Sequence, residues 1–417
     1  MDEKWYDRLE FVGGFQPYTY FDDDPQKRED QKNLFLRGEI ENPHLDYPKI
    51  NPNELDYREK ELVELKRDIL HEEKNDVVRQ MYRWKINEKI AEVRMMRATL
   101  DGDDKKFDHY SSFVYGVPEQ NIHNYTLWQT AKKMCDTISS EKSTDEQKDS
   151  AQKILDLCDT ETETTIPPHE KVEPIRFISS QEQYTAENIQ EAFENALLSQ
   201  NISGWHVAID DHVKAISVSQ DDKKIKIPQK RTVSGLKLQG LIAHEIFIHA
   251  QRRAAGDRTK IHLLGLGLDR YTKGEEGIAT YQEGQIMGEE DYAGFGGHFT
   301  AALAKGLDGK KRDFRAVFDI LKNYYIANGK DAKKSESLAW NLCVRTFRGT
   351  TCSTPGTCFT KDIAYREGNI GIHTLIKNDD PEQARFLVGK YDPTNQRHIW
   401  ILDQLNITEK DLDFLEK

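Results

Sequence analysis

His244-Glu245-Ile246-Phe247-Ile248-His249 sets two imidazoles on either side of a carboxylate in an otherwise apolar run, and a further carboxylate opens the EGIATY run at Glu276. Zinc takes histidine nitrogen and carboxylate oxygen, and a catalytic site keeps three protein ligands so that a water can occupy the fourth position. The ion makes that water acidic enough to attack a carbonyl near neutral pH when a base stands by. Glu245 is the candidate base, with His244, His249 and Glu276 as candidate ligands of one zinc ion. A lone histidine on an apolar helix is ordinarily a satisfied core residue, but two around a glutamate in AHEIFIHA would bury charge without a partner. Read alone, Glu276 is a helix-start acid favoured by the dipole. Glu275 beside it leaves the third ligand open by one position.

The histidines stand at i and i+5, which a regular helix separates by about 140° around its axis. One extra residue taken up as a π-turn would return both to one side, so the spacing predicts a widened turn between His244 and His249.

These residues need elements to hold them. Val233 to Ile246 reads as an amphipathic helix with Leu236, Leu238, Leu241 and Ile242 near core-facing spacing, and Ser234 or Thr232 can cap it. Before it, Trp205–Ile209, Ala215–Ser219 and Lys224–Ile227 alternate apolar and polar residues as short strands. The last of them is a candidate exposed edge for an extended substrate. After the motif, Glu275 and Glu276 open a second helix, Gly277–Met287.

At 417 residues with 37% hydrophobic content the chain can bury a substantial core, divided among two or three subdomains. Residues 1–40, polar with scattered aromatics and an Asp22–Pro25 turn, read as a loosely packed arm. Residues 41–165 read as a helical subdomain. In it Asn53–Glu73 and Asp76–Leu100 carry Leu62, Leu65, Ile69, Val77, Met81 and Trp84 at helical intervals, their alternating charges read as a solvated outer face, and Tyr125–Leu157 is broken near Glu141–Thr144. Thr160–Pro174, with paired prolines, marks the boundary. The core, 175–405, contains an amphipathic Thr185–Ser199 helix and further helices at Lys311–Asn328, Ala332–Phe347 and Thr360–Ile376.

The net charge of −13 argues against nucleic acid as a partner, and mildly against a strongly acidic substrate tail unless a local basic patch compensates. No apolar run is long enough for a membrane span, and the N-terminus lacks the regions of a secretory signal, so cytoplasmic residence is the expectation. The five cysteines are then thiols, although Cys352 and Cys358 could close a small disulfide under oxidising conditions.

The HEIxxH and EGIA pair resembles the tyrosine carboxypeptidase family, the microtubule-associated tyrosine carboxypeptidases and their bacterial relatives with HEIxxH and EGLA motifs. Similar patches are Asn42-Pro43, Tyr47-Pro48, Tyr115-Gly116-Val117-Pro118, Ile225-Lys226-Ile227-Pro228, Arg345-Thr346-Phe347-Arg348-Gly349, Phe359-Thr360-Lys361-Asp362 and Tyr365. The resemblance implies that His244, His249 and Glu276 bind zinc and that Glu245 is the general base and acid. It also implies an α+β, predominantly helical fold, a zincin-like metallopeptidase core with a small antiparallel sheet beside the metal-site helices. The activity implied is removal of a C-terminal aromatic residue from a peptide or protein. Two departures stand out. Phe247 and Ile248 occupy positions where small residues are usual, and EGIA replaces EGLA.

An exopeptidase also needs a cation for the terminal carboxylate, which planar guanidinium grips bidentately. Arg345, Arg348 and Lys361 are candidates, Arg348 because Gly349 lets the backbone turn there. Tyr365, Tyr281 or His298 could donate to the developing oxyanion. Two other readings keep the motif: a metallo-endopeptidase or amidohydrolase, and a noncatalytic binding module with a structural or inactive ion. The intact Glu245 speaks against the second, since a structural zinc site closes its fourth position and needs no base.

Overall fold

A computed structural model describes residues 1–21, 24–158, 164–175, 183–213, 216–219 and 222–412. Helices dominate, and their limits follow local chemistry. Asn51 and Asn75 cap the Pro52–Glu72 and Asp76–Asp101 helices by accepting backbone N–H groups, and Gly102 ends the second in a left-handed conformation. Leu62, Leu65, Ile69 and Met81 are buried between these two helices and the elements that cover them. The Gln120–Ser139 and Asp145–Leu155 helices flank the expected break, the second opened by a Thr144–Gln147 capping box. The Asp22–Pro25 turn, the 160–174 boundary and the Ala215 strand start fall partly outside the described residues.

Residues 1–40 are no loose arm. Trp5, Leu9, Val12, Phe15 and Phe21 are buried in the same cluster as Leu62, Ile86, Leu263 and Leu402, while Phe35 packs edge-on against Phe314 and Phe318. Scattered aromatics in a polar sequence are thus anchors, some on helices and others, Phe15 and Phe21, at helix ends. They also cover one side of the Asp76–Asp101 helix, so its charges are not all solvated. Lys85 pairs with Glu88 at 2.7 Å and Lys89 with Glu92 at 2.9 Å, all four buried. Lys89 donates to the Phe15 carbonyl and Glu88 accepts the Arg270 N–H, which is how buried charges become tolerable.

The sheet has three strands, β1 (His206–Asp210), β2 (Ser217–Ser219) and β3 (Lys224–Pro228), in the order β1-β3-β2. It is mixed, not antiparallel: β3 runs parallel to β1 and antiparallel to β2. The β2–β3 hairpin folds back so that β3, not β2, takes the centre, with Ile225 and Ile227 fully buried. A central strand has both hydrogen-bonding edges occupied, so Lys224–Ile227 is no open edge for a substrate.

The Ala186–Ser199 helix and the sheet pack on the motif helix through Phe193, Ile225, Ile227, Leu238 and Ile246. Two further helices, Thr272–Met287 and Ile363–Lys377, cross where Gly277 meets Gly368. A Cβ on Gly277 would lie 2.5 Å from the Gly368 carbonyl carbon, and one on Gly368 would lie 2.0 Å from the Lys273 oxygen. The glycine of EGIA is therefore a backbone-contact residue, and it brings Glu276 up to the helix that carries Tyr365. Among the described residues no helix is long and apolar enough to cross a membrane.

Candidate metal centre

Ser234 caps the motif helix by accepting the Lys237 N–H at 3.3 Å. The helix runs as α from Gly235 to Leu241, as π from Ile242 to Ala250, and as α again from Gln251 to Arg258. The widened stretch contains the whole motif, as the i, i+5 spacing requires. It brings the His244 and His249 rings to 4.8 Å, nearly perpendicular. Without the extra residue per turn the two rings would sit on different faces.

Glu276 completes the group. Its Oε2 lies 3.8 Å from His244 Nε2 and 3.8 Å from His249 Nε2, too far for hydrogen bonds. That oxygen is shut off from solvent and has no hydrogen-bond partner. Tetrahedral ligands with bonds of about 2.1 Å stand about 3.4 Å apart, so the three atoms, all within 4.8 Å of one another, have the donor types and nearly the separations of one zinc shell. Burial opposes ionisation of Glu276, yet Lys361, His249 and His244 outweigh it and hold the carboxyl below its usual range.

Both histidines are oriented from behind. His244 Nδ1 donates to Glu283 Oε2 at 3.0 Å, and His249 Nδ1 donates to Glu275 Oε1 at 2.9 Å. Each imidazole thereby turns Nε2 toward Glu276, the carboxylate–histidine arrangement that fixes tautomer and ring plane in metal sites. Glu275 is accordingly engaged elsewhere: Arg252 donates to it at 2.5 Å and Lys390 lies 3.7 Å away. Burial would raise its carboxyl, but Arg252, Lys390 and His249 bring it down to about 2. Glu283, also near 2, is held there against burial by His244 and Lys237. Burial lowers the His244 imidazole, but Glu283, Glu245 and Glu276 lift it to about 9. Glu245 is half-buried beside His244, and among the described residues no hydrogen bond ties its carboxylate.

The cationic candidates cluster around Asp362 and Glu276. Lys361 Nζ is 3.7 Å from Glu276 Oε1. Burial pulls its ammonium below the ordinary value, with Arg348 and Arg345 adding to the pull against Glu276 and Asp362. Arg345 is locked bidentately on Asp362 through Nε and Nη2. Arg348 stands 3.9 Å from Asp362, lies over the Phe359 ring, and keeps a buried Nε with no hydrogen-bond partner. Tyr365 lies beside the Arg345 and Lys361 cations. Burial, then the charges of Glu276 and Asp362, push its phenol well above the usual range, so it remains a donor.

Two candidates fall elsewhere. Tyr281 sits edge-on to His373 at 4.7 Å, and His298 is fully buried 3.4 Å from Glu367. Three neighbours escaped the sequence reading: Glu283, Arg252 and Tyr18, whose ring faces Lys361 Nζ at 4.9 Å. Glu283 had a signal, since it follows Glu276 by seven residues, two turns along one helix face. Cys343, Cys352 and Cys358 are buried thiols, and Cys352 and Cys358 form no disulfide.

The family model described as microtubule-associated tyrosine carboxypeptidase matches residues 32–173 and 169–411. The chain belongs to that family. Comparison with curated proteins and with solved structures yields no match.

Proposed function

We propose that the chain is a zinc-dependent carboxypeptidase that removes a C-terminal residue, tyrosine or another aromatic, from a peptide or protein. The observation that carries the metal is Glu276 Oε2, buried, unpartnered and 3.8 Å from two imidazole nitrogens. A bound zinc ion supplies an acidified water and a Lewis acid for the scissile carbonyl. Glu245 takes the proton of the attacking water and returns it to the leaving amine. Tyr365 donates its O–H to the developing oxyanion. Arg348, with its unpartnered Nε, and Lys361 hold the substrate carboxylate, while Arg345 keeps Asp362 oriented between them. The same cation cluster favours exo- over endo-cleavage and gives the acidic chain a local basic patch. Glu245→Gln is expected to keep stoichiometric zinc and to lose hydrolysis of peptides ending in free tyrosine, and amidating that terminus should spare the peptide from the parent enzyme. Turnover retained by Glu245→Gln in zinc-replete buffer rules out the assigned base. Equal cleavage of the amidated peptide rules out the exopeptidase reading.

A further inference from the structure

A second set of metal-ligating side chains meets at the far end of the Thr272–Met287 helix. His169 belongs to the 164–175 segment, Glu289 follows the helix C-cap Gly288, and His373 lies in the Ile363–Lys377 helix. One ligand atom from each falls within 4.8 Å of the others, with His169 Nε2 4.0 Å from Glu289 Oε2. Both His169 nitrogens, His373 Nε2 and Glu289 Oε2 are closed to solvent and have no hydrogen-bond partner, and the His169 side chain is only 2% exposed. Tyr292 packs edge-on against both imidazoles, at 4.8 and 5.2 Å, and Tyr281 against His373, so the ring planes are fixed.

Each orphaned buried polar atom costs about 1–3 kcal/mol, so four in one cluster demand water or an ion. The donor types and their convergence favour an ion. Arg366, the nearby cation, is engaged with Thr126, Asp291, the Tyr292 carbonyl and Gln129. Two imidazoles and one carboxylate from three separate segments are a zinc donor set.

We propose that His169, Glu289 and His373 form a second divalent-metal site, zinc by its donors, that staples the 164–175 segment to the end of the helix carrying Glu276. The ion would add to the ties the segment already has: Val172 N–H donates to Glu289 O at 3.1 Å, Ile175 N–H to Ile286 O at 2.9 Å, Tyr292 O–H to Pro167 O at 3.1 Å and Thr165 N–H to Asn121 Oδ1 at 3.1 Å, and Ile166 packs beside Ile122 and Tyr292. The site is independent of the catalytic reading and can be tested apart from it. Chelator-stripped full-length protein is titrated with zinc alone and the bound ion counted. The parent is expected to take two equivalents and the His169→Ala/His373→Ala protein one. The His244→Ala/His249→Ala protein also retains one, which reports on the second site even if the first reading fails. In that last background, adding chelator should speed amide exchange at Val172 and Ile175. A zinc-soaked crystal of the parent, which needs no variant to fold, should show an anomalous peak among the three side chains. Water without anomalous signal there, or a His169→Ala/His373→Ala protein that binds as many equivalents as the parent, overturns the proposal.

Discussion

Replacing Glu283 tests whether the imidazoles are held for a metal or merely packed. Its Oε2 accepts the His244 Nδ1–H at 3.0 Å, and its other oxygen takes the Lys237 ammonium at 2.5 Å. Glu283→Gln keeps the shape and an acceptor oxygen but removes the charge that makes the imidazole a better donor to an ion. It also leaves Lys237 without its anion. Loss of such an outer partner ordinarily weakens metal affinity by about 10- to 100-fold, or roughly 1.4–2.7 kcal/mol. The glutamine variant belongs at the lower end because His244 stays oriented, and Glu283→Ala at the upper end because the ring is freed. The assay is competition for zinc against a chromogenic chelator, with kcat/KM for a tyrosine-ended peptide measured on zinc-saturated enzyme. The sign of the acid dependence follows from the carboxyl held at about 2: the contribution of Glu283 to apoprotein stability is fully present above its unfolded value and is lost as pH falls toward 2. Unaltered zinc affinity in Glu283→Ala would falsify the claim that this carboxylate tunes a ligand.

In the apoprotein His244 is protonated up to about pH 9, and zinc must displace that proton. Zinc affinity is therefore expected to rise about tenfold per pH unit from 7 toward 9, and a flat profile by calorimetry would contradict it. The apoprotein stability contributed by the His244 charge runs the opposite way, full below the unfolded value and lost as pH rises through 9. Arg348→Gln should lower kcat/KM for free-carboxylate peptides by about 10- to 100-fold, the loss of one charge-assisted hydrogen bond of roughly 1.5–3 kcal/mol, with zinc content unchanged; an unaffected kcat/KM excludes Arg348 from carboxylate binding. Gly277→Ala drives a Cβ into the Gly368 backbone and should cost at least about 1–3 kcal/mol, read as a lower Tm with weaker zinc binding. An unchanged Tm means that the helix crossing tolerates the methyl.

What could be read in the residues, and what could not, divides along a physical line. The π-turn was legible because periodicity is a local property: two side chains at i and i+5 cannot share a face of a 3.6-residue helix. The helices over Pro52–Glu72 and Asp76–Asp101 were legible for the same reason, as apolar spacing acts within a few residues. Strand order was not. Alternation marks β3 as a strand, but whether it lies at the edge or in the centre depends on how the β2–β3 hairpin folds back onto β1, a long-range matter. Burial of charge was hidden likewise. Nothing in the sequence around Lys85, Glu88, Lys89 and Glu92 says that Phe15 and Arg270 will cover them. The choice between Glu275 and Glu276 shows the limit most sharply. Neighbouring carboxylates on one helix point about 100° apart, so only one can face the imidazole Nε2 atoms, and which one depends on the rotation of the helix about its axis. Contact between Gly277 and Gly368 fixes that rotation, turning Glu276 toward both Nε2 atoms and Glu275 toward Arg252 and His249 Nδ1. A small residue after the candidate ligand thus helps shape the candidate metal site without touching it.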